Sequence, residues 1–292
     1  MTKGSYRRPG SRRGPRPGPR RLRTARPRLT RRGRLALLAA AVLVLGAAFT
    51  VPVLLLTGGN GGSGRPATLV VPEGQRAGAV YASVDKALAV PPGTTRRAAA
   101  RAHLELAGPA RGNPEGYLFP ATYPVDEHTT PTSLLTFMVD TANRTLAADH
   151  VRTGAAHNGM TPYQAVTVAS IVQAEAATPA DMGKVARVVL NRLARDMPLQ
   201  MDSTLNYALH RSTLDTTTAD TRTGSPYNTY AHKGLPPTPI GNPGETAIKA
   251  VSGPPRGDWL YFVTVRDGDT RFATSYAQQQ QNVREFNANR RS

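Results

Sequence analysis

Glu175 is the residue of this chain best placed by its neighbours to do acid–base chemistry. It is the last residue but one of the run ASIVQAEA, residues 169–176. On a helix beginning at Pro162, the small or apolar residues Ala165, Val168, Ala169 and Val172 recur at steps of three and four. Glu175 comes three residues after Val172 and so continues that stripe. A carboxylate entering an apolar wall loses hydration, and its pKa rises toward the range in which it can both give and take a proton near neutral pH. Gln173, two positions earlier, is turned by about 200° onto the far face. The plainer alternative is a helix-end glutamate splayed to solvent or paired with Lys184 or Arg187.

Two later segments, MPLQMDSTLNYAL (197–209) and SPYNTYAHKGLPPTPIGNPG (225–244), are dense in amides, hydroxyls and tyrosines. A surface linker has no need of Tyr227, Asn228, Thr229 and Tyr230 in a row. Aromatic faces beside amide donors suit a carbohydrate cleft: rings lie against the C–H face of a sugar, and amides meet hydroxyl and acetamido groups. Gln200 and Asp202 add polar groups that can position such a ligand. Core packing explains any single tyrosine, so the information lies in the grouping.

Other chemistries find little support. The chain has no cysteine, which excludes disulfides, thiol catalysis and thiolate-bound metals. Its six histidines form no i, i+4 pair and no HExxH motif, so no metal site and no cofactor are expected.

The elements that must hold these residues follow from local signals. ATLVV (67–71) is β-prone, and the helix after Pro72-Glu73-Gly74 stops at Pro91-Pro92-Gly93. A second helix is expected over 94–107, an extended segment over 115–125, and a further helix over 131–150. Thr161-Pro162, Thr178-Pro179 and Asn242-Pro243 each place a capping side chain before a proline, with an acid or amide following, and so announce three helix starts. WLYFVTV (259–265) and TRFAT (270–274) flank a turn and read as a β-hairpin. A polar helix over 275–289 closes the pattern.

The net charge of +18 is unevenly spread. Residues 1–34 hold 14 of the 37 basic residues and no acid, in an Arg/Pro/Gly-rich stretch whose few apolar residues lead to an expectation of disorder. Residues 35–57 follow, with 22 uncharged residues from Leu35 to Leu56, long enough to cross a bilayer core of about 30 Å. The expectation is a single membrane helix with a cytoplasmic N-terminus and an exported remainder. A cleaved signal peptide is the rival, with a usually shorter apolar region and a cleavage site that is not evident here. The basic tail then suits anionic headgroups, and nucleic acid is the less favoured partner. Residues 58–66, rich in Gly, are expected to form a flexible linker.

The motifs ASIVxxE, VLNRL, MPLQ.D.T..YAL, SPYNTY..KGLPP.PIGNPG and YLFPATY, together with WLYFV, resemble those of the endolytic murein transglycosylases (YceG-like proteins), over residues 68–287. The resemblance implies an α+β protein with a single N-terminal transmembrane helix, a small, shortened LysM-like α/β unit (67–110) and an α+β catalytic domain (111–292) with a C-terminal β-hairpin. It implies cleavage of peptidoglycan glycan strands between N-acetylmuramic acid and N-acetylglucosamine with a 1,6-anhydro end, and peptidoglycan synthases and other wall-growth proteins as partners. The family's catalytic glutamate corresponds to Glu175. Gln200 and Asp202 would position the sugar, and Tyr227, Asn228, Thr229 and Tyr230 would line the cleft. Gln173 stands where the family often has a second glutamate, MDSTLNY replaces the commoner SDPTVIY, and Arg271 stands where a histidine is usual. Two other readings stay open: a wall-binding scaffold that has lost turnover, and a hydrolase using Asp202 as a second carboxylate.

Overall fold

The computed structural model describes residues 67–213 and 216–289. The basic tail, the apolar run 35–57 and the linker 58–66 lie outside the described residues. Among the described residues no helix is long and apolar enough to cross a membrane.

Strand β1 (Ala67–Val70) pairs antiparallel with β2 (Thr122–Val125), Ala67 opposite Val125 and Val70 opposite Thr122. Between them lie α1 (Ala77–Ala87), α2 (Thr94–Arg101) and a 3-10 turn at Gly108–Ala110. The pairing thus runs across position 110 and joins residues 67–70 to 122–125. Then come α3 (Pro131–Ala147), α4 (Asp149–His157), α5 (Pro162–Glu175), α6 (Pro179–Ala194), α7 (Asp202–Ala208) and α8 (Glu245–Ser252). The hairpin β3 (Tyr261–Arg266) and β4 (Asp269–Ala273) precedes α9 (Tyr276–Asn289), which packs on β3. The described part is α+β, with two small two-stranded sheets.

The core centres on α5, and the sequence pattern understates its burial. Every residue from Ala165 to Val172 is buried, not only the expected stripe, because α6 and α8 pack on α5 while the loop 237–242 crosses it. A helix with little polar face is one closed in on all sides, and the small and β-branched residues of this one let its neighbours approach. Its start is the expected capping box: the Thr161 hydroxyl accepts from the Gln164 N–H, and the Gln164 side chain accepts from the Thr161 N–H. The Thr178 side chain likewise caps α6.

The third expected cap is different. The N-cap of α8 is Gly244, with no side-chain cap. Asn242, fully buried, instead donates its amide to the Gln75 carbonyl (2.7 Å) and accepts from the Leu118 N–H (2.8 Å). It ties the β1–α1 turn and the 115–120 segment to the loop before α8. A buried amide with well-placed backbone partners so distant in sequence cannot be told from a cap by local pattern.

Three other expectations change. The helix expected over 94–107 ends at Arg101, and Leu104 and Leu106 then alternate with exposed His103 and Glu105, a period-two pattern of extended chain. The single helix expected over 131–150 is two, broken at Ala148 (φ −58°, ψ 133°). No breaker residue marks that point; the break lets α4 lie against α8, where Gly154 comes so close that a Cβ would sit 2.2 Å from the Ser252 carbonyl oxygen. Of the extended segment over 115–125, only 122–125 is strand. Its first part turns at Gly116 (φ +88°), where a Cβ would meet Pro239 at 2.6 Å.

Candidate active site

Glu175 is the last residue of α5, so its side chain leaves the core helix at its C-terminal end. It meets the N-terminus of α7 there: Ser203 donates its hydroxyl (2.6 Å) and its backbone N–H (3.2 Å) to Glu175 Oε1. Burial pushes the Glu175 carboxyl above the ordinary range, the two Ser203 bonds pull against it, and the charge of Asp202 pushes the same way as burial. The negative end of the α5 dipole also disfavours the ionised form. The side chain is half-buried, at the wall of an open cleft of about 1060 Å³.

Gln173 points elsewhere. Its Oε1 accepts from the Gly244 N–H (3.0 Å), and its stem lies near Gly74. The expectation that it faces away from Glu175 agrees with these partners.

The strip 199–202 is held from behind by the tyrosine-rich loop. The Gln200 N–H donates to the Thr229 carbonyl (3.0 Å), and the Met201 N–H donates to the Thr229 hydroxyl (3.0 Å). Gln200 has φ +51°, a left-handed conformation that turns its exposed side chain outward. Asp202 opens α7 and accepts from the Tyr230 hydroxyl (2.6 Å). Burial first, then the bond to Asp202, raises the Tyr230 phenol so that it stays protonated and donates.

Four of the seven expected site residues therefore share one cleft: Glu175, Gln200, Asp202 and Tyr230. The other three do not line it. Asn228 is fully buried and makes four loop bonds, donating to the Thr221 and Thr223 carbonyls and accepting from the Tyr230 and Ala231 N–H groups. Thr229 is buried beneath Gln200–Met201. Tyr227 lies against the Tyr207 ring (4.9 Å) and shares a hydrogen bond with Thr238 (2.9 Å). The loop reaches the cleft through Tyr230, and which of its side chains face the cleft is set by how the loop folds on 199–202.

The opposite wall was missed. It consists of β3 and α9, with Tyr261 and Tyr276 adjacent (ring centroids 6.0 Å apart) and Tyr276 64% exposed. Arg192, on α6, reaches the floor. It is 6% exposed, donates to the carbonyls of Leu260 (2.6 Å), Leu199 (2.6 Å) and Pro198 (3.3 Å), and lies under the Tyr261 ring. Arg192 thus clamps both walls together. Ser203 stood in a quoted motif, but nothing local distinguished it from its neighbours. Among the described residues no group of three His, Cys, Asp or Glu is placed to hold a metal ion.

A half-buried, hydrogen-bonded carboxyl of raised pKa, with the Asp202 carboxylate beside it in a long cleft that has tyrosines on both sides, is a geometry suited to acid–base chemistry on an extended ligand. The chain belongs to the YceG-like family, whose model matches residues 53–285. It is 36% identical over 159 residues to the endolytic murein transglycosylase of Bacillus subtilis strain 168, covering 54% of this chain and 44% of that relative. It is 37% identical over 182 residues to the endolytic murein transglycosylase of Streptococcus pneumoniae serotype 2 strain D39, covering 60% of this chain and 33% of that relative. The matched region thus spans less than half the length of either relative. A crystal structure of a yceG-like protein from Listeria monocytogenes is similar at a TM-score of 0.64 and 27% identity, covering 75% of this chain and 76% of that one.

Proposed function

We propose that the protein is a lytic transglycosylase of peptidoglycan with Glu175 as its acid and base. Protonated Glu175 gives its proton to the oxygen between N-acetylmuramic acid and N-acetylglucosamine, and that glycosidic bond breaks as an oxocarbenium-like centre develops at muramic C1. The carboxylate then takes the proton of the muramic C6 hydroxyl, whose oxygen bonds to C1. The products are a 1,6-anhydromuramic end and a free N-acetylglucosamine hydroxyl. No water is consumed and Glu175 returns to its starting state. Asp202, oriented by Tyr230, and Gln200 hold the sugar, and the Asp202 charge favours the developing positive centre.

The observation that carries this reading is the Glu175 carboxyl, its pKa raised by burial, with one oxygen fixed by Ser203 and the cleft before it, while the neighbouring Asp202 carboxylate is tied to the Tyr230 hydroxyl. One group used twice fits a lytic reaction, whereas hydrolysis calls for a separately activated water. Relatives named endolytic murein transglycosylases support the substrate class.

The wider setting belongs to the same proposal. The 35–57 run anchors the chain in the cell membrane, the Arg-rich tail stays on the cytoplasmic side, and residues 67 onward act outside on growing strands. Residues 67–110 serve as a shortened LysM-like unit, and synthases are neighbours in that work.

The test is digestion of purified peptidoglycan by the full-length chain and by Glu175→Gln, with products read by mass spectrometry. Anhydromuramic ends that vanish in the variant are expected. Reducing ends overturn the lytic mechanism in favour of a hydrolase. Binding without any product overturns it in favour of a scaffold.

A further inference from the structure

A second cavity, about 790 Å³, lies between the α1–α2 segment and the far end of α7, and Glu175 does not line it. Its walls are made open by composition: Gly74, Gly78 and Gly112 contribute no side chain, and Ala99 and Ala100 contribute only a methyl. Two guanidinium groups occupy its sides, each on a tyrosine face: Arg76 over Tyr207 at 5.2 Å and Arg96 over Tyr81 at 5.9 Å. Among the described residues neither arginine forms an ion pair within 4.0 Å. Such stacking holds each guanidinium plane; Arg76 also donates Nη2 to the Arg211 carbonyl (2.8 Å), which leaves its remaining N–H groups and the edge of Arg96 for a ligand.

The one carboxylate in the lining is already engaged. Glu115, 4% exposed, accepts from the Ala77 N–H at the start of α1 (2.9 Å) and from the Tyr207 hydroxyl (3.1 Å). Gln75, in the same lining, has an Oε1 with no hydrogen-bond partner, an acceptor suited to an amide N–H. Fixed cations, an amide acceptor and room for a chain describe a site for an acidic peptide.

The cavity also has a defined relation to the candidate active site. Ser203, which holds Glu175, and Tyr207, which lines the second cavity, are one turn apart on α7. Four residues of helix rise about 6 Å, while a peptide of three to five residues spans about 10–17 Å. A branch of that length on a sugar at Glu175 therefore covers the helix distance from Ser203 to Tyr207, on which Arg76 stacks.

We propose that this cavity binds the carboxylate-bearing peptide that branches from muramic acid. The peptidoglycan sugar rings are uncharged, so the arginines have no partner on the glycan itself. The substrate comes from the function proposed above; the binding does not require turnover.

The experiment titrates the full-length chain with N-acetylmuramyl-L-alanyl-D-glutamate, beside the same compound with both carboxylates amidated, by calorimetry. The free acid is expected to bind at least tenfold tighter than the diamide, equally to the unsubstituted chain and to Glu175→Gln. Arg96→Gln, an exposed position whose change spares the core, should remove most of that difference, and Arg96→Lys should restore part of it. Thermal melts confirm that the variants are folded. Equal binding of acid and diamide, no binding of either, or an unchanged preference in Arg96→Gln overturns the proposal. Anhydro ends still formed by Glu175→Gln overturn the catalytic assignment instead, and leave the binding result to stand or fall by itself.

Discussion

Ser203 gives both of its donors to one oxygen of Glu175, the hydroxyl at 2.6 Å and the backbone N–H at 3.2 Å. Both bonds go to Oε1, and among the described residues no donor reaches Oε2. The carboxyl is therefore fixed by one oxygen and presents the other for proton exchange. Since the two bonds favour the ionised form while burial and the Asp202 charge disfavour it, the pKa is a balance that single substitutions can tip in either direction.

The pH profile should respond accordingly. If Glu175 must be protonated to act, kcat/KM falls as pH rises through its raised pKa. Ser203→Ala removes a bond to the ionised form, so this limb moves to higher pH. Asp202→Asn removes a neighbouring charge that opposes ionisation, so the limb moves to lower pH. Rates measured on soluble glycan strands across pH 4–9 check both signs; a shift in the same direction for both variants rejects the assignment.

Glu175→Gln should lower activity about 10²–10⁴-fold, the usual worth of a general acid–base group. It should also stabilise the fold at neutral pH. A carboxyl whose folded pKa is raised contributes most below its unfolded value and loses that contribution as pH rises through the folded one. The glutamine keeps an oxygen for Ser203 and has no charge to desolvate. Thermal melts should show the variant ahead at pH 7 and level with the parent below about pH 4, where an unperturbed glutamate is largely protonated.

The sequence made some of this legible and left some hidden, for physical reasons. Helix α5, its cap and its terminal glutamate were readable because a threonine–proline start and an apolar run are local signals. The hairpin 261–273 was readable from its turn. The break at Ala148 was not, since it depends on Gly154 approaching Ser252 about a hundred residues away. Asn228 and Thr229 have the chemistry of ligand groups and serve as internal struts; only the folded loop shows that their polar atoms are already used. Tyr276 sits in a polar helix whose partner, β3, is what makes it part of a cleft wall.

Tyr276→Ala tests that wall. The ring is 64% exposed beside Tyr261, so its loss should cost little stability. If the pair is a platform for a sugar, KM should rise about three- to tenfold with kcat nearly unchanged, in line with the worth of an aromatic contact. Steady-state kinetics on glycan strands of defined length separate the two parameters. An unchanged KM places the ligand on another part of the cleft.

Arg192→Ala should act on the fold before it acts on catalysis. The guanidinium serves carbonyls at Pro198, Leu199 and Leu260, on both walls of the cleft, and its burial lowers the pKa. Removing it strands buried acceptors at about 1–3 kcal/mol each. A loss of about 3 kcal/mol or more in denaturant melts is expected, and Arg192→Lys should recover only part, because an ammonium cannot span the same carbonyls.

Asn228→Ala distinguishes a strut from a substrate contact. The amide donates to the Thr221 and Thr223 carbonyls and accepts from the Tyr230 and Ala231 N–H groups, with none of its surface exposed. Its loss leaves these groups unpaired, at a cost of about 2–4 kcal/mol. The 221–231 loop positions Tyr230, and Tyr230 orients Asp202, so the effect on activity is indirect. Melting should therefore fall clearly while KM, measured well below the new transition, stays within about twofold of the parent. A large rise in KM with melting unchanged would instead make Asn228 a ligand-binding residue.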